Sequence, residues 1–269
     1  MKTHLLAFCF ALAGAFAAPM YANPASDLVE ARILTGWRGE DGRHVAALHL
    51  DMKDGWKTYW RAPGDAGIPP RFDWRGSRNL SGVAITWPTP RAISQNGVRT
   101  IGYANSLTLP LHVMPNQKGK AITLDGTVEL GLCKDVCLPL TLRISQELPK
   151  DVGKRDPRIV AALAARPFSA REAGVGRVVC RMTPIDDGLR LRAEVDVASQ
   201  GAGEIAVIET DNPQIWVAQA QSARQGGRLV IETELYHVDG KSFALNRDGI
   251  RITVIGGGQA VDIKGCPGG

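Results

Sequence analysis

The chain has 269 residues, of which 44% are hydrophobic and 22% charged, and its formal net charge is +5. This length can hold two domains of ordinary size. The basic residues are scattered, with no block of Lys/Arg and no accompanying aromatic stripe, which argues against nucleic-acid binding. Beyond residue 22 no segment is long and apolar enough to cross a bilayer, so we expect no stable membrane insertion.

The first residues are typical of a secretory signal peptide. A basic start precedes an apolar run over residues 5–18, which is shorter than the roughly 20 residues that a membrane span requires. We therefore expect residues 1–22 to be removed on export, with cleavage after Ala17 or Ala22. The mature protein is then predicted to be soluble and exported.

Short strands with Gly- and Pro-rich turns are predicted along the rest of the chain. In the first predicted domain, residues 26–149, they are Leu28–Trp37, His44–Met52, Lys57–Arg61, Arg71–Trp74, Val83–Trp87, Leu107–Val113, Ala121–Leu130 and Leu138–Glu147. In the second, residues 176–269, they are Arg177–Thr183, Leu189–Val197, Ala206–Thr210, Ile215–Ala218, Leu229–Glu234, Ile250–Ile255 and Ala260–Ile263.

Between the two groups of strands lies a predicted linker, residues 150–175. Asp156 and Pro157 are suited to begin a short helix, and Pro167 ends it. Many short strands with Gly- and Pro-rich turns are typical of sandwiches. The predicted fold class is therefore all-β, with two immunoglobulin-like β-sandwich domains in tandem joined by a linker with a short helix.

The segment Gly131–Pro139 carries the strongest functional signal. It places Cys133 and Cys137 four residues apart, between two stretches that alternate apolar and polar residues as strands do. Two strands joined by a three-residue turn would hold the cysteines opposite each other. Facing positions of an antiparallel pair lie about 4.5–5.5 Å apart at Cα, within the roughly 4.4–6.8 Å that a disulfide requires. The pair is therefore predicted to open and close with little backbone motion.

Three interpretations of this pair stay open: a redox couple, a structural staple and half of a metal site. A staple that closes a loop of about 5 residues contributes only about 2 kcal/mol, which favours the redox interpretation. Lys134 in the turn would favour a neighbouring thiolate, whereas Asp135 would oppose it. The histidines after the signal are scattered without ligand spacing, so no metal or other cofactor is predicted.

Four cysteines remain once the predicted signal is removed, and four cysteines allow three pairings. We expect the pairs Cys133–Cys137 and Cys180–Cys266, because each pair then lies within one predicted domain. Closing the long loop between Cys180 and Cys266 contributes about 4.6 kcal/mol in the chain-entropy model, which suits a structural clamp. The alternative, in which this second pair is also redox-active, stays open.

Three motifs in order along the chain carry a family resemblance. They are DGWKTYWRAPGDAG at residues 54–67, IGY with LTLPL at residues 101–111, and LCKDVCLP at residues 132–139. Together they resemble the N-terminal periplasmic domain of the thiol:disulfide interchange protein DsbD, and the ScsB-like branch more closely. The resemblance extends over roughly residues 28–148.

The resemblance implies an immunoglobulin-like sandwich that passes electrons through Cys133 and Cys137. The donor would be a membrane-embedded electron relay of the DsbD/CcdA type, on a separate protein. The acceptors would be oxidised periplasmic substrates and thioredoxin-like proteins. By analogy alone, Cys137 is the attacking thiol and Cys133 the resolving one.

The resemblance also implies a cap loop that shields the cysteines, here within residues 91–103. Tyr103 is a candidate for the shielding ring. Gln95 and Asn96 stand where DsbD carries acidic residues near its cysteines, so acid–base help from the cap is not expected. In a regular strand Tyr59 and Trp60 point to opposite faces, so one is expected to fill the core. Two interpretations of the other stay open: it lines the redox groove, or it also belongs to the core, which is the commoner role of such a residue.

Two further functions are compatible with the same residues. One is a periplasmic copper-binding or copper-tolerance module, in which Cys133 and Cys137 act as soft thiolate ligands. The other is a non-catalytic structural adaptor, whose two sandwiches dock a partner.

Overall fold

The structure is a computed structural model that describes residues 26–95 and 97–268. The predicted signal peptide, residues 1–22, and the candidate cap residue Asn96 therefore lie outside the described residues. A short 3-10 helix, Ser26–Leu28, opens the described chain. Among the described residues, no helix is long and apolar enough to span a membrane.

The first sandwich contains two sheets that face each other. Its strands are β1 (Val29–Arg38), β2 (His44–Met52), β3 (Lys57–Tyr59), β4 (Arg71–Asp73), β5 (Leu80–Ile85), β6 (Arg91–Gln95), β7 (Val98–Ala104), β8 (Ser106–Pro115), β9 (Ile122–Cys133) and β10 (Cys137–Leu148). One sheet has the order β1-β2-β8-β5, and the other has the order β10-β9-β3-β7-β6 with β4 paired to β9.

Alternation along the strands builds the core of this sandwich. Residues Leu48 and Leu50 of β2 pack in one buried cluster with Leu130 and Leu132 of β9, which belongs to the facing sheet. Since successive side chains of a strand point to opposite faces, the residues between the leucines of β9 lie on the outer face of their sheet. That outer face is where the cysteine pair is found.

The helix α1 (Pro157–Ala164) begins where the sequence predicted it. Asp156 is its N-cap, with a side-chain oxygen that accepts a hydrogen bond from the Arg158 amide. Ile159 is fully buried and packs with Leu34 of β1 and Ala47 of β2. The helix is therefore attached to the outer face of the first sandwich.

The second sandwich also contains two sheets. Its strands are β11 (Phe168–Ser169), β12 (Val178–Ile185), β13 (Gly188–Asp196), β14 (Ile205–Glu209), β15 (Ile215–Val217), β16 (Gln221–Gln225), β17 (Arg228–His237), β18 (Arg251–Gly256) and β19 (Gln259–Lys264). One sheet has the order β11-β19-β18-β14, and the other has the order β12-β13-β17-β15 with β16 paired to β17. The fold class predicted from the sequence, two immunoglobulin-like sandwiches in tandem, is confirmed.

The core of the second sandwich contains a disulfide. Cys180 of β12 and Cys266, which follows β19, are bonded and lie 5.5 Å apart at Cα. Both are buried in the same apolar cluster, with Leu191 and Ile263 among their neighbours. The bond thus joins an early strand of this sandwich to its last segment, away from solvent.

An ion pair connects the two sandwiches. Arg61 follows β3 of the first sandwich, and its Nε and Nη2 donate to the two carboxylate oxygens of Glu209 at 2.9 and 2.8 Å. Glu209 ends β14 of the second sandwich, and both side chains are largely buried. The Arg61 guanidinium also lies 4.0 Å over the ring of Trp60. Bidentate pairing and stacking together fix the arginine in one orientation.

The clearest difference from the predicted elements lies in residues 91–104. The family resemblance implied a cap loop there, whereas the structure has the hairpin β6–β7, which adds two strands to the edge of the sheet that contains β9 and β10. The polar composition of β6 hides its alternation, because both of its faces are at least partly exposed. The polar strand β16 escaped prediction for the same reason, and β11 escaped because its two residues are too few to show alternation.

Removing the Cys180–Cys266 bond tests its structural role. The double variant Cys180→Ala, Cys266→Ala is expected to lose about 2 to 5 kcal/mol of unfolding free energy, because the bond closes a long loop. Denaturant unfolding monitored by fluorescence measures the change. The variant Cys133→Ala, Cys137→Ala is the control, with an expected loss of at most about 2 kcal/mol. A larger loss in the control than in the test variant would contradict the assignment.

The Arg61–Glu209 pair is expected to couple the two sandwiches energetically. A double-mutant cycle with Arg61→Met and Glu209→Gln should give an interaction energy of about 1 to 3 kcal/mol, since a largely buried bidentate pair is poorly screened. The matched control is the exposed pair Asp73 and Arg75, for which no measurable coupling is expected. Equal coupling in the two cycles would show that burial of the pair has no effect.

Candidate functional site

The disulfide of Cys133 and Cys137 closes the hairpin of β9 and β10. The two residues are opposite each other in the antiparallel register, and their Cα atoms lie 4.2 Å apart. The turn between them has three residues, and the Lys134 amide donates to the Val136 carbonyl at 3.1 Å. The strands are longer than predicted, so that the cysteines are the last residue of one strand and the first of the next.

The two sulfur-bearing residues differ in their access to solvent. Cys133 is 1% exposed, whereas Cys137 belongs to the exposed residues of the hairpin. Both lie on the outer face of the sheet, because Leu132, the neighbour of Cys133, points into the core. A molecule that approaches from solvent therefore meets Cys137 first.

Tyr59 lies beneath the disulfide and contacts both sulfurs. Its hydroxyl is 2.6 Å from Cys133 Sγ and 3.1 Å from Cys137 Sγ, and the residue is only 2% exposed. Since disulfide sulfurs carry no proton, the hydroxyl is the donor. Burial raises the pKa of Tyr59 above its usual value, so the phenol keeps its proton at neutral pH. It can then donate to a thiolate as well as to the disulfide.

Gly131 provides the space that Tyr59 occupies. A Cβ atom at this position would lie 2.8 Å from Tyr59 Cε2 and 2.9 Å from the Cβ of Ile68. Such contacts are shorter than side chains tolerate, so the ring could not stay where it is. The glycine two residues before Cys133 is thus required by the position of the phenol.

The hairpin β6–β7 reaches the turn between the cysteines. Gln95, at its tip, donates from Nε2 to the Lys134 carbonyl at 2.6 Å. Val98 of the same tip and Val136 of the cysteine turn are both exposed hydrophobic residues. The hairpin therefore supports the cysteine turn by a direct hydrogen bond, and it presents an apolar side chain nearby.

Tyr103 and Trp60 lie in the core of the sandwich. Tyr103 is paired with Thr58, the residue between Lys57 and Tyr59, and it therefore points away from the sulfurs. Its hydroxyl donates to the Pro88 carbonyl at 2.8 Å, and burial raises its pKa. Trp60 is fully buried in the same cluster. The expectation that Tyr103 shields the cysteines is corrected by this placement, since Tyr59 is the aromatic residue at the sulfurs.

The charged residues of the turn point into solvent. Lys134 and Asp135 are exposed, and the Lys134 ammonium donates to the Asp54 carbonyl at 3.3 Å. In the described part of the chain, no group of three or more His, Cys, Asp and Glu side chains is arranged to hold a metal ion. A cleft of about 490 Å³ lies between the two sandwiches, but neither the cysteines nor Tyr59 line it. The disulfide hairpin is therefore the candidate site.

Sequence reasoning left two residues of this site unassigned. Gly131 gives no signal by itself, because its role depends on a ring from another strand. Lys57 is the register partner of Cys133 on β3 and is buried. The available signal for Lys57 was its spacing of two residues from Tyr59, which places both on one face of a strand.

Comparison with known proteins bears on this hairpin directly. Residues 29–149 match the family of the N-terminal region of the thiol:disulfide interchange protein DsbD. This stretch contains both cysteines of the hairpin, Tyr59 and the hairpin β6–β7. The resemblance predicted from the three motifs is confirmed.

A solved structure extends the similarity beyond the family match. The chain is similar to the N-terminal periplasmic domain of ScsB from Proteus mirabilis, with a TM-score of 0.68 and 19% sequence identity. The alignment covers 91% of this chain and 95% of that one, so both sandwiches have a counterpart there. No curated protein sequence matches the chain.

The Tyr59 hydroxyl is expected to stabilise the Cys133 thiolate when the disulfide opens. A hydrogen bond to a charged acceptor contributes about 1.5 to 3 kcal/mol, so Tyr59→Phe should raise the pKa of the Cys133 thiol by about 1 to 2 units. Thiolate absorbance in the reduced protein, measured against pH, reports this shift.

Tyr103→Phe is the matched control for this prediction. It removes a buried tyrosine hydroxyl that contacts Pro88 but neither sulfur. We expect no change of either thiol pKa in this variant. An equal rise in the two variants would mean that general loosening of the fold, and not the hydrogen bond to sulfur, changes the pKa.

Proposed function

We propose that this chain is an exported thiol–disulfide exchange protein of the periplasm. It passes electrons from a membrane-embedded relay of the DsbD/CcdA type to periplasmic substrates, among them thioredoxin-like proteins. The observation that carries the proposal is the disulfide at the edge of the sheet, with one exposed residue, Cys137, and one buried residue, Cys133. The family match over residues 29–149 supports the type of chemistry.

The first step reduces the disulfide. A thiolate of the donor attacks Cys137 Sγ, the bond between Cys133 and Cys137 breaks, and Cys133 leaves as a thiolate. Tyr59, 2.6 Å from Cys133 Sγ, is in place to donate to this leaving group. The second donor cysteine then attacks the mixed disulfide, and Cys137 is released as a thiolate. The donor becomes oxidised to a disulfide, and two electrons have been transferred.

The second step is the reverse of this sequence with a different partner. The Cys137 thiolate attacks a sulfur of an oxidised substrate and forms a new mixed disulfide, and one substrate sulfur leaves as a thiolate. Cys133 then attacks Cys137 Sγ, which restores the internal disulfide and releases the reduced substrate. The exposed cysteine therefore exchanges with partners, and the buried one resolves the intermediate.

The access of the two cysteines explains why the roles are unequal. In-line attack requires an incoming sulfur to reach the sulfur that it attacks, and Cys137 is the exposed residue of the pair. Cys133 is covered by Tyr59 on one side and by its own strand. The opening and closing of the bond requires little backbone change, because the register already places the two residues opposite each other.

Trapping with single-cysteine variants tests the roles. In Cys133→Ser, the mixed disulfide on Cys137 cannot be resolved, so covalent adducts should accumulate in the periplasm at least about tenfold above Cys137→Ser, because a mixed disulfide that no second thiol attacks persists. Non-reducing gels followed by mass spectrometry identify the adducts. The double variant Cys133→Ser, Cys137→Ser gives the background. More adduct in Cys137→Ser than in Cys133→Ser would reverse the assignment.

The reduction potential tests the function as a whole. Equilibration with glutathione buffers should give a reduction potential above about −300 mV for the Cys133–Cys137 bond, because structural disulfides have potentials below that value. The control is the Cys180–Cys266 bond, which is buried and should stay oxidised in the same buffers. A hairpin disulfide that resists reduction as strongly as this bond would rule out an exchange role.

A further inference from the structure

A lysine lies buried next to the buried cysteine. Lys57 begins β3 and is 7% exposed. Its register partners are Cys133 on β9 and Ala104 on β7. Directly opposite residues of an antiparallel pair share one face and have Cβ atoms about 4.5–5.5 Å apart. The Cβ atoms of Lys57 and Cys133 therefore lie side by side on the outer face of the sheet.

The ammonium of Lys57 lacks an anionic partner in the oxidised protein. Its Nζ donates to Thr100 Oγ1 at 3.2 Å, and both residues are buried. Among the ion pairs of the described residues, none includes Lys57. A buried cation without a counter-ion is unfavourable, and burial lowers the pKa of Lys57 accordingly. An anion that forms nearby would relieve this cost.

We propose that Lys57 is the electrostatic partner of the Cys133 thiolate. This inference rests on the proposed exchange function, in which Cys133 leaves as a thiolate when the disulfide opens. Lys57 then provides the positive charge, while Tyr59 provides the hydrogen bond, and both residues come from the same strand. The buried cysteine is thereby the better leaving group, which directs attack to Cys137.

The other groups around Cys133 do not provide this charge. Lys134 and Asp135 follow Cys133 directly in the sequence, but both are exposed. Water and salt therefore screen their charges. Gln95 of the hairpin and Thr100 of β7 are neutral, and Tyr59 keeps its proton. The groups near Cys133 come from its own strand β9, from β3, from the turn and from the hairpin β6–β7. Among them, Lys57 is the buried cation.

The proposed interaction changes the pKa values of Cys133 and Lys57 in opposite directions. A cation that stabilises the thiolate lowers the pKa of the Cys133 thiol and favours the reduced protein over the disulfide. By linkage, the thiolate must raise the pKa of Lys57 by the same interaction free energy. The reduced protein therefore holds Lys57 protonated to higher pH than the oxidised protein does.

The test uses Lys57→Met in the full chain with the Cys180–Cys266 bond intact. In the Cys137→Ser background, thiolate absorbance against pH gives the pKa of Cys133 alone. We expect Lys57→Met to lower the thiolate fraction at neutral pH by about tenfold, equivalent to one pKa unit. With both cysteines present, the equilibrium with glutathione should shift toward the disulfide about tenfold, or about 30 mV.

Three variants control for structural effects. Lys57→Arg keeps the charge and should restore most of the thiolate fraction. Thr100→Val removes the hydrogen bond to Lys57 but keeps its positive charge, so it should change the fraction by less than about twofold. Lys134→Met removes the exposed lysine next to Cys133 in sequence, and it should also stay within about twofold, since solvent screens that charge.

A measurement on the unmodified protein makes the test independent of the stability of the variants. The ammonium of Lys57 can be titrated by NMR with labelled lysine, in the oxidised and the reduced protein. A higher pKa of Lys57 after reduction supports the inference, and an unchanged or lower pKa overturns it. An unchanged thiolate fraction in Lys57→Met also overturns it.

Failure of the proposed function has a different signature. If the wild-type hairpin disulfide does not equilibrate with glutathione, the exchange role is wrong. The pKa of Cys133 in the Cys137→Ser background, with and without Lys57, still decides whether the lysine interacts with the thiolate.

Discussion

The pairing of β9 with β10 is the constraint on which the geometry of the cysteine pair depends. Its register runs without a shift from Cys133 and Cys137 at one end to Ile122 and Leu148 at the other. The buried leucines of β9 fix which face of the hairpin turns to the core, because a slip by one residue would place polar side chains there. The same constraint holds both cysteines on the outer face, opposite each other. The chemistry at the tip is thus determined by apolar packing along the whole strand.

In β3 and the residue that follows it, neighbouring side chains also point to opposite faces of the sheet. Tyr59 and Trp60 are neighbours in sequence, yet the first contacts the sulfurs and the second is fully buried in the core. Lys57 lies on the same face as Tyr59 and beside Cys133. One short strand therefore brings a hydrogen-bond donor to the sulfurs and a lysine to the register position opposite Cys133, while the residue after it, Trp60, is buried in the core.

The second sandwich is linked to this strand by the residue that follows Trp60. Arg61 stacks on the Trp60 ring and pairs with Glu209, so the end of β3 is held by both sandwiches. The similarity to the ScsB domain covers both sandwiches and not only the cysteine-bearing one. The joint between the two sandwiches therefore lies next to the strand that places Tyr59 beneath the disulfide.

The sequence alone determined the class of fold, the position of the helix start and the spacing of the cysteines, because these follow from local patterns of alternation, capping and turn length. It also separated Tyr59 from Trp60 onto opposite faces, but it could not say which face was the core. Tertiary structure decided that Tyr59, and not Tyr103, meets the sulfurs, that Gly131 leaves room for it, and that Lys57 lies beside Cys133. It also decided which cysteine is buried. Each of these facts depends on contacts between segments that are distant in sequence, and no local pattern records such contacts.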